Sequence, residues 1–332
     1  MNKNINLLKN ILFFGALVLL LELCLKLFAP VYFTGPFNAY EYNEDLGVAV
    51  KKNLNLVKIT DHRQEYITNK LGTFNFEDDF SNYDRIIFAI GDSVTQGTGV
   101  SPTSSYPFKL FINLNTDKEI ENISFGVVNL GLSAFGFEQS FITTKIFLEK
   151  LKPNYIVYLG VGNDVRDDHL FLSGYRHNHL VEGSPRFFGM GYTIGILANN
   201  IEILKRIKLI LSQIRLKNTF KSTEIDYDKT NTNFKKYLRL KKLADTNNIK
   251  LFISWYQCNG VEATNYKKLQ EWSIDNDINF IDWCKDFKKI KSKLSKLPIA
   301  NSHSSGHYRP WVYTIISDNI ANKIKENELQ SN

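Results

Sequence analysis

The apolar residues of this chain form short uninterrupted runs that alternate with longer stretches in which apolar residues recur every three or four positions. Short runs predict buried strands, and the longer periodic stretches predict helices with one apolar face. The predicted strands are 85–90, 125–130, 154–161, 250–256 and 279–283. Helices are predicted near 104–115, 137–151, 230–246 and 310–325. Because strands and helices alternate, we expect βαβ units and an α/β fold with a parallel sheet.

The chain divides into three parts. Residues 1–30 hold one long apolar stretch, residues 31–84 have little periodicity, and residues 85–325 carry the alternating elements. We expect a membrane anchor, a stalk or lead-in segment, and one large domain. The alternation is interrupted at about 165–245 by an insertion with a basic amphipathic helix near 195–217. The basic residues of this helix are expected on a solvated face or against anionic lipid head groups: Lys205, Arg206, Lys208, Arg215 and Lys217.

The N-terminal apolar stretch is long enough to cross a membrane. At about 1.5 Å per residue, a helix over 11–29 spans a bilayer core of roughly 30 Å. Glu22 and Lys26 are four apart and can pair on one helix face. Lys3 and Lys9 favour a cytoplasmic N-terminus. We therefore expect a single-pass protein of the inner membrane whose domain lies on the periplasmic side.

A cleaved signal peptide is the alternative. No small-x-small cleavage site follows the apolar run, and bulky or charged residues precede Cys24, which is unlike a lipoprotein site. An uncleaved anchor is favoured.

Composition limits the partners of the protein. The chain has 332 residues and a net charge of +7 that is spread along its length. Such a surface suits an anionic envelope polymer or lipid as well as nucleic acid. No nucleic-acid-binding module is present in the sequence, so we expect no nucleic-acid partner.

The two cysteines of the domain follow successive predicted strands. Cys258 follows the strand 250–256 and Cys284 follows the strand 279–283. If these strands are parallel neighbours, the two thiols lie at one sheet edge and can form a disulfide bond in an oxidising compartment. Two buried free thiols are the favoured alternative.

Candidate catalytic residues follow three of the predicted strands and precede the last helix. Gly91-Asp92-Ser93 follows the first strand, Asn163 follows the third, and His307 precedes the last helix. Parallel strands end at the same sheet edge, where α/β proteins bind their ligands. A serine becomes a nucleophile when a neighbouring base takes its proton and donors stabilise the oxyanion. A helix-capping role for Ser93 and a turn-closing role for Asn163 are the structural alternatives.

In this order and spacing, the motifs over about residues 85–320 resemble the SGNH (GDSL-type) hydrolases, in particular the bacterial members with one N-terminal helix. The resemblance implies a flavodoxin-like three-layer fold. It implies Ser93 as the nucleophile, His307 as the general base, and Asn163 and the Ser93 N–H as oxyanion donors. The family's oxyanion glycine, five residues after Asn129, is Ala134 here, whose backbone N–H can serve; Gly131 is the alternative donor.

The histidine motif departs from the family pattern. The family's orienting aspartate, three residues before the histidine, is Ser304 here, and His303 is a competing base. We expect Ser304, a backbone carbonyl or a carboxylate from another loop to orient His307. Loss of the acid can cost orders of magnitude in rate.

The remaining polar residues are assigned structural roles. Asp92 is expected to brace the turn of the nucleophile, and Asp164, Asp167 and Asp168 are expected on a solvated rim. The His-x-His of 177–179 has no nearby third ligand and is expected in an exposed loop. We expect no metal ion and no organic cofactor.

The sequence therefore predicts a serine esterase or deacylase. The expected substrate is an ester, such as an O-acetyl group, on an envelope polysaccharide or glycolipid. An acyltransferase that modifies a glycan hydroxyl, and a non-catalytic glycan-binding or assembly protein with a degenerate site, are the alternatives.

Overall fold

The computed structural model describes residues 2–29, 39–59, 63–174, 201–207, 210, 234–258, 263–300 and 307–331. The strands are β1 (Tyr40–Glu41), β2 (Ala49–Val50), β3 (Asn55–Ile59), β4 (Arg63–Ile67), β5 (Arg85–Gly91), β6 (Phe125–Asn129), β7 (Tyr155–Gly160), β8 (Lys250–Trp255) and β9 (Asn279–Phe280). The helices are α1 (Asn2–Phe28), α2 (Ser93–Gln96), α3 (Tyr106–Thr116), α4 (Phe137–Leu148), α5 (Asp164–Leu172), α6 (Tyr237–Thr246), α7 (Ala263–Asp275), α8 (Cys284–Lys293) and α9 (Pro310–Ser331).

The central sheet has five parallel strands in the order β6-β5-β7-β8-β9. Numbered along the chain, this order is 2-1-3-4-5, which is the flavodoxin-like arrangement. The direction of winding reverses between β5 and β7, and ligands bind outside the carboxyl ends of the strands at such a point. Ser93 follows β5 and Asn163 follows β7, so the topology places both candidate residues beside this reversal.

Helices cover both faces of the sheet. On one face, Phe88 packs on Phe147 of α4, and Tyr158 packs on Tyr237 of α6. On the other face, the hydroxyl of Tyr155 donates a 2.6 Å hydrogen bond to Glu328 of α9. Strands buried on both faces must be apolar throughout, which explains the uninterrupted runs in the sequence. The predicted three-layer α/β fold is confirmed.

Several elements differ from their predicted bounds; α6, for example, begins at Tyr237 rather than near 230. The strand predicted over 279–283 is short, because Trp283 begins α8 and its indole Nε1 donates to the Trp255 carbonyl at 3.0 Å. The last helix runs to Ser331, beyond the predicted end at 325. Its final turns are fixed by Glu328, which also accepts a 2.7 Å hydrogen bond from Arg85.

The lead-in segment packs against the domain through two antiparallel hairpins, β1–β2 and β3–β4. Leu46 and Val50 form a small apolar cluster with Leu132 and Phe135, which follow β6. Beside them, the Asn75 amide donates to the Val127 carbonyl at 2.7 Å. The lead-in segment therefore packs against the loop after β6, at the edge of the sheet that β6 forms.

Cys258 and Cys284 form a disulfide bond, with their Cα atoms 5.7 Å apart. The favoured expectation of two free thiols was wrong. The bridge forms because β8 and β9 are parallel neighbours, so the residues that follow them emerge side by side.

Helix α1 contains a stretch, Asn6–Phe28, that is long and apolar enough to cross a membrane. Its apolar side chains are exposed, as expected for a helix that does not belong to the core of the domain. Much of the insertion lies outside the described residues, including His177, His179, Lys208, Arg215 and Lys217.

Candidate active site

Ser93 lies at a tight turn between β5 and α2. The turn begins at Gly91, whose φ of +151° is rare for residues with a side chain. A Cβ at this position would lie 2.5 Å from Thr95 Oγ1 and 2.9 Å from the Leu159 carbonyl oxygen. Asp92 then caps α2, since its Oδ1 accepts a 2.8 Å hydrogen bond from the Val94 N–H. The side chain of Ser93 is left half-buried at the carboxyl edge of the sheet.

His307 lies directly against Ser93. Its Nε2 is 2.8 Å from Ser93 Oγ, although the two residues are 214 positions apart in the chain. The next residue fixes the backbone, because the Tyr308 N–H donates a 2.6 Å hydrogen bond to the Tyr256 hydroxyl. The Arg309 N–H donates to the Ile299 carbonyl at 2.8 Å. The imidazole is thus held within hydrogen-bonding distance of the candidate nucleophile.

Asn163 completes this edge of the site. Its Nδ2 donates a 2.7 Å hydrogen bond to Asp167 and lies 3.4 Å from Asp92 Oδ2. Asp167 is fully buried, and its other oxygen accepts from Arg166 at 3.2 Å. One N–H of the Asn163 amide is therefore committed to Asp167, and the other makes a longer hydrogen bond, of 3.4 Å, to Asp92 Oδ2.

The loop after β6 packs on α2. A Cβ at Gly131 would lie 2.4 Å from the backbone nitrogen of Gln96, so only glycine fits there. The Gly131 N–H donates to Asn129 Oδ1 at 3.1 Å, which directs it away from an oxyanion. Ser133 binds Gln96 Oε1 through its N–H at 2.7 Å. Gly131 is thus a packing residue, which leaves Ala134 as the candidate donor from this loop.

Ala134 adopts a left-handed conformation, with φ of +65°. This region is unfavourable for a residue with a Cβ by roughly 1–2 kcal/mol. Such backbone strain clusters at functional sites, where the surrounding structure holds it in place.

Asp92 lies at the centre of the site. Its Oδ2 accepts a 3.0 Å hydrogen bond from the Ser93 hydroxyl. Burial raises the pKa of Asp92, while the hydrogen bond from Val94 and the charge of His307 oppose this rise. Asp92 therefore braces the turn, as expected, and also interacts electrostatically with the imidazole. The positions of Ser304 and His303 lie outside the described residues.

The expectation that the acidic residues after β7 form a solvated rim was wrong. Asp164, Asp167 and Asp168 are all buried, each against different partners. Asp164 accepts a 2.5 Å hydrogen bond from the Tyr158 hydroxyl, and Asp168 pairs with Lys236 at 2.7 Å. Burial raises the pKa of Asp164 well above its usual range. The four-residue spacing of Asn163 and Asp167 was the sequence feature that could have revealed their contact.

Gly136 marks the same close packing. A Cβ there would lie 2.2 Å from Asp168 Oδ1. The carboxylate of Asp168 also accepts from the Glu138 N–H at 2.8 Å, near the start of α4. The acidic residues of α5 therefore fix the loop that carries Ala134. Among the described residues, no cluster of side chains has the composition of a metal site.

Comparison with known proteins gave structural matches only. No family model and no curated protein sequence matches the chain. The matched solved structures include esterases and a GDSL-like lipase. The esterase EstA from Pseudoalteromonas sp. is 14% identical, with a TM-score of 0.41 over 73% of this chain and 98% of its own.

Two further matches are similar. A catalytic mutant of Axe2, an acetylxylan esterase from Geobacillus stearothermophilus, is 14% identical, with a TM-score of 0.40 over 73% of this chain and 94% of its own. A GDSL-like lipase from Bacteroides thetaiotaomicron VPI-5482 is 11% identical, with a TM-score of 0.35 over 76% and 93%. At these TM-scores, the assignment of chemistry rests on the contacts of Ser93, His307 and Asn163.

Proposed function

We propose that the protein is a serine esterase of the SGNH type, tethered to a membrane by α1. The observation that carries the proposal is the 2.8 Å contact between Ser93 Oγ and His307 Nε2. A serine hydroxyl needs such a base, and a side chain that titrates near neutrality can both accept and return the proton.

The reaction has two halves. The Ser93 hydroxyl turns from Asp92 Oδ2 to His307 Nε2, which takes its proton as Oγ attacks the ester carbonyl. The proton then passes to the departing alcohol. Water, deprotonated by the same nitrogen, attacks the acyl-enzyme and releases the carboxylic acid and Ser93. The second half regenerates the hydroxyl and the neutral imidazole.

Three donors are proposed for the oxyanion: the N–H groups of Ser93 and Ala134, and the second N–H of Asn163 Nδ2, which exchanges its 3.4 Å hydrogen bond to Asp92 Oδ2 for one to the oxyanion. The amide carries no titratable charge, which suits a developing oxyanion beside a base. Its 2.7 Å bond to Asp167 supports this role, because it fixes the plane of the amide before substrate arrives.

Asp92 is the proposed electrostatic partner of His307. The usual aspartate position is Ser304 in this chain. The interaction between Asp92 and His307 supports a supply of negative charge from the turn of the nucleophile. An ionised Asp92 would stabilise the imidazolium that forms when Ser93 is deprotonated.

The proposed substrate is an acyl ester, such as O-acetyl, on a polysaccharide or glycolipid of the cell envelope. Two features support this class: an apolar N-terminal helix that can hold the domain at a membrane, and a net charge of +7 that suits an anionic polymer or lipid surface. Lys3 and Lys9 support a cytoplasmic N-terminus and a periplasmic domain of an inner-membrane protein.

A fluorophosphonate probe tests the proposal on the full chain in detergent. We expect covalent labelling of wild type, with no labelling of Ser93→Ala and little of His307→Ala. Ser101→Ala, at an exposed serine outside the site, is the matched control and should be labelled normally. Absence of a Ser93 adduct in folded wild type would refute catalysis and favour a glycan-binding role.

The fate of the acyl group distinguishes hydrolysis from transfer. We expect acetate release from acetylated model esters at a rate unaffected by added glycan acceptors. An acyltransferase would instead form acylated glycan at the expense of acetate, which mass spectrometry of the acceptor detects.

A further inference from the structure

The outer part of α1 binds the insertion through Glu22. Its carboxylate accepts hydrogen bonds from the backbone N–H groups of Glu202, at 2.7 Å, and Ile203, at 3.0 Å. These two residues begin a helical stretch over 202–207. Residues 201–207 and 210 are called the docked segment below.

A second contact lies at the end of α1. The guanidinium of Arg206 donates to the carbonyl oxygen of Ala29, just beyond the helix. The docked segment therefore starts at Glu22 and runs in the same direction as the last turns of α1. At about 1.5 Å per residue, Glu22 is roughly 9 Å below Phe28, the outer end of the apolar stretch.

Both contacts satisfy groups that a membrane would leave unpaired. A carboxylate within an apolar stretch is costly unless it has partners. The first N–H groups of a helix have no partner within the helix, and neither do the last carbonyls. Glu22 accepts from the first N–H groups of the docked segment, and Arg206 donates to a carbonyl at the end of α1. Each helical segment therefore supplies hydrogen-bond partners that the other would lack in a membrane.

The docked segment exposes apolar side chains. Ile207 is 47% exposed and Ile210 is 61% exposed. The contact of Arg206 with Ala29 brings this segment to the end of α1, where Leu27 and Phe28 are also exposed. Exposed apolar side chains beside a membrane-spanning helix are best covered by lipid.

We propose that the docked segment is a second membrane contact, inserted among the lipids of the outer leaflet beside α1 through Ile207 and Ile210. This rests on the membrane anchor proposed above. The protein then meets the membrane at two points instead of through a single helix.

The proposed contact of the docked segment with the membrane is apolar rather than ionic. Lys205 pairs with Glu202 at 2.5 Å, and Arg206 is engaged by Ala29. The Lys205 ammonium is therefore paired with a carboxylate, and the Arg206 guanidinium is hydrogen-bonded to a carbonyl, both within the protein. Insertion should consequently persist in vesicles of phosphatidylcholine alone, with no requirement for anionic lipid.

Fluorophore depth measurements on the full chain test this inference. Single cysteines are introduced as Ile210→Cys, Leu19→Cys and Lys267→Cys in a Cys24→Ser background and labelled with an environment-sensitive dye. The proteins are reconstituted in phosphatidylcholine vesicles with or without lipid-borne doxyl quenchers. Leu19 is 72% exposed within α1, and the Lys267 side chain is 78% exposed on the domain.

We expect doxyl lipids to quench the dye at 210 and at 19 several-fold more than at 267, and aqueous iodide to show the reverse order. A dye at 210 that behaves like that at 267, with position 19 still lipid-quenched, overturns the second contact and leaves the anchor intact. Failure of quenching at position 19 would overturn the anchor, and this inference with it.

Glu22→Gln tests the link between α1 and the docked segment. The amide is a weaker acceptor than the carboxylate. We expect it to lower lipid quenching at 210 at least twofold without changing position 19. Glu121→Gln, at an exposed glutamate of the domain, is the matched control. Equal quenching at 210 in both variants would refute the role of Glu22.

Discussion

The Nδ2 of Asn163 donates a 2.7 Å hydrogen bond to Asp167, one helical turn further along the chain. A buried carboxylate thus sets the orientation of the side chain proposed to stabilise the oxyanion. Because Asp167 acts through Asn163 in the proposed reaction, it is a positioning residue.

Asp167→Asn should therefore lower kcat with little change in KM. We expect a loss of roughly 10- to 100-fold, smaller than the 10²–10³ typical of removing an oxyanion donor outright. Asp275→Asn, an exposed carboxylate on α7, is the control. A rise in KM at constant kcat would assign Asp167 to substrate binding instead.

His307→Ala should reduce kcat by about a thousandfold or more, because Ser93 loses the base that takes its proton. The variant should fold, since the ring is only half-buried and Tyr308 keeps its bond to Tyr256. Initial rates with an activated acetyl ester measure the loss. Near-normal rates in a folded His307→Ala protein would assign the base to another residue.

Stability should decline with pH through Asp164. Burial raises the folded-state pKa of Asp164 well above its ordinary value of 3.8, so the folded protein holds this proton more tightly than the unfolded chain. The resulting stability is fully present below the ordinary value and is lost as pH rises through the raised pKa.

Asp164→Asn removes this titration and keeps an acceptor for the Tyr158 hydroxyl. The Tm of the variant relative to wild type should therefore increase as pH rises from about 4 to about 8. Parallel Tm curves for the two proteins would contradict the assignment.

Loss of the Cys258–Cys284 bridge should destabilise the domain. The bridge closes a loop of 26 residues, and the chain-entropy treatment gives about 3 kcal/mol for a loop of this size. The Cys258→Ser, Cys284→Ser double variant should therefore melt several degrees lower than wild type. Cys24→Ser, at an exposed free cysteine, should have no such effect. A wild-type Tm unchanged by reductant would show that no bridge forms.

Gly131→Ala should disturb both stability and catalysis. Its Cβ would lie 2.4 Å from the Gln96 backbone nitrogen, so α2 and Ser93 must shift. We expect about 1–3 kcal/mol of destabilisation and reduced labelling by fluorophosphonate. Gly174→Ala is the control, since its φ is +75° but no atom lies within 4 Å of its Cβ. A side chain at Gly174 meets only the strain of its positive φ, so an equally small effect of the two variants would contradict the steric role of Gly131.

Much of the fold was predictable because the central strands are buried on both faces and are therefore continuously apolar. The proximity of Ser93 and Asn163 was predictable for a related reason: parallel strands end at one edge. The position of His307 was predicted only from the resemblance of the stretch before the last helix to a known family. The short length of β9 was not predictable, since Trp283 is as apolar as a strand residue although it caps the start of α8. Nor was the burial of Asp164, because three acidic residues together resemble a solvated surface until their partners on other elements are known.

The contact of Glu22 with the insertion lies between residues 180 positions apart, and no periodicity reports such a pairing. The sequence could not decide whether the disulfide bond forms, for a different reason. It placed both cysteines at one sheet edge, but only the register of β8 and β9 determines whether they meet.

The link between Arg85 and Glu328 joins the first residue of the sheet to the final turns of the last helix. His307 likewise lies 214 positions after Ser93. During synthesis, the contact of Arg85 with Glu328 and the pair of Ser93 and His307 cannot form until residues 307–328 have emerged. The proposed nucleophile therefore lacks its base until this late part of the chain has been made.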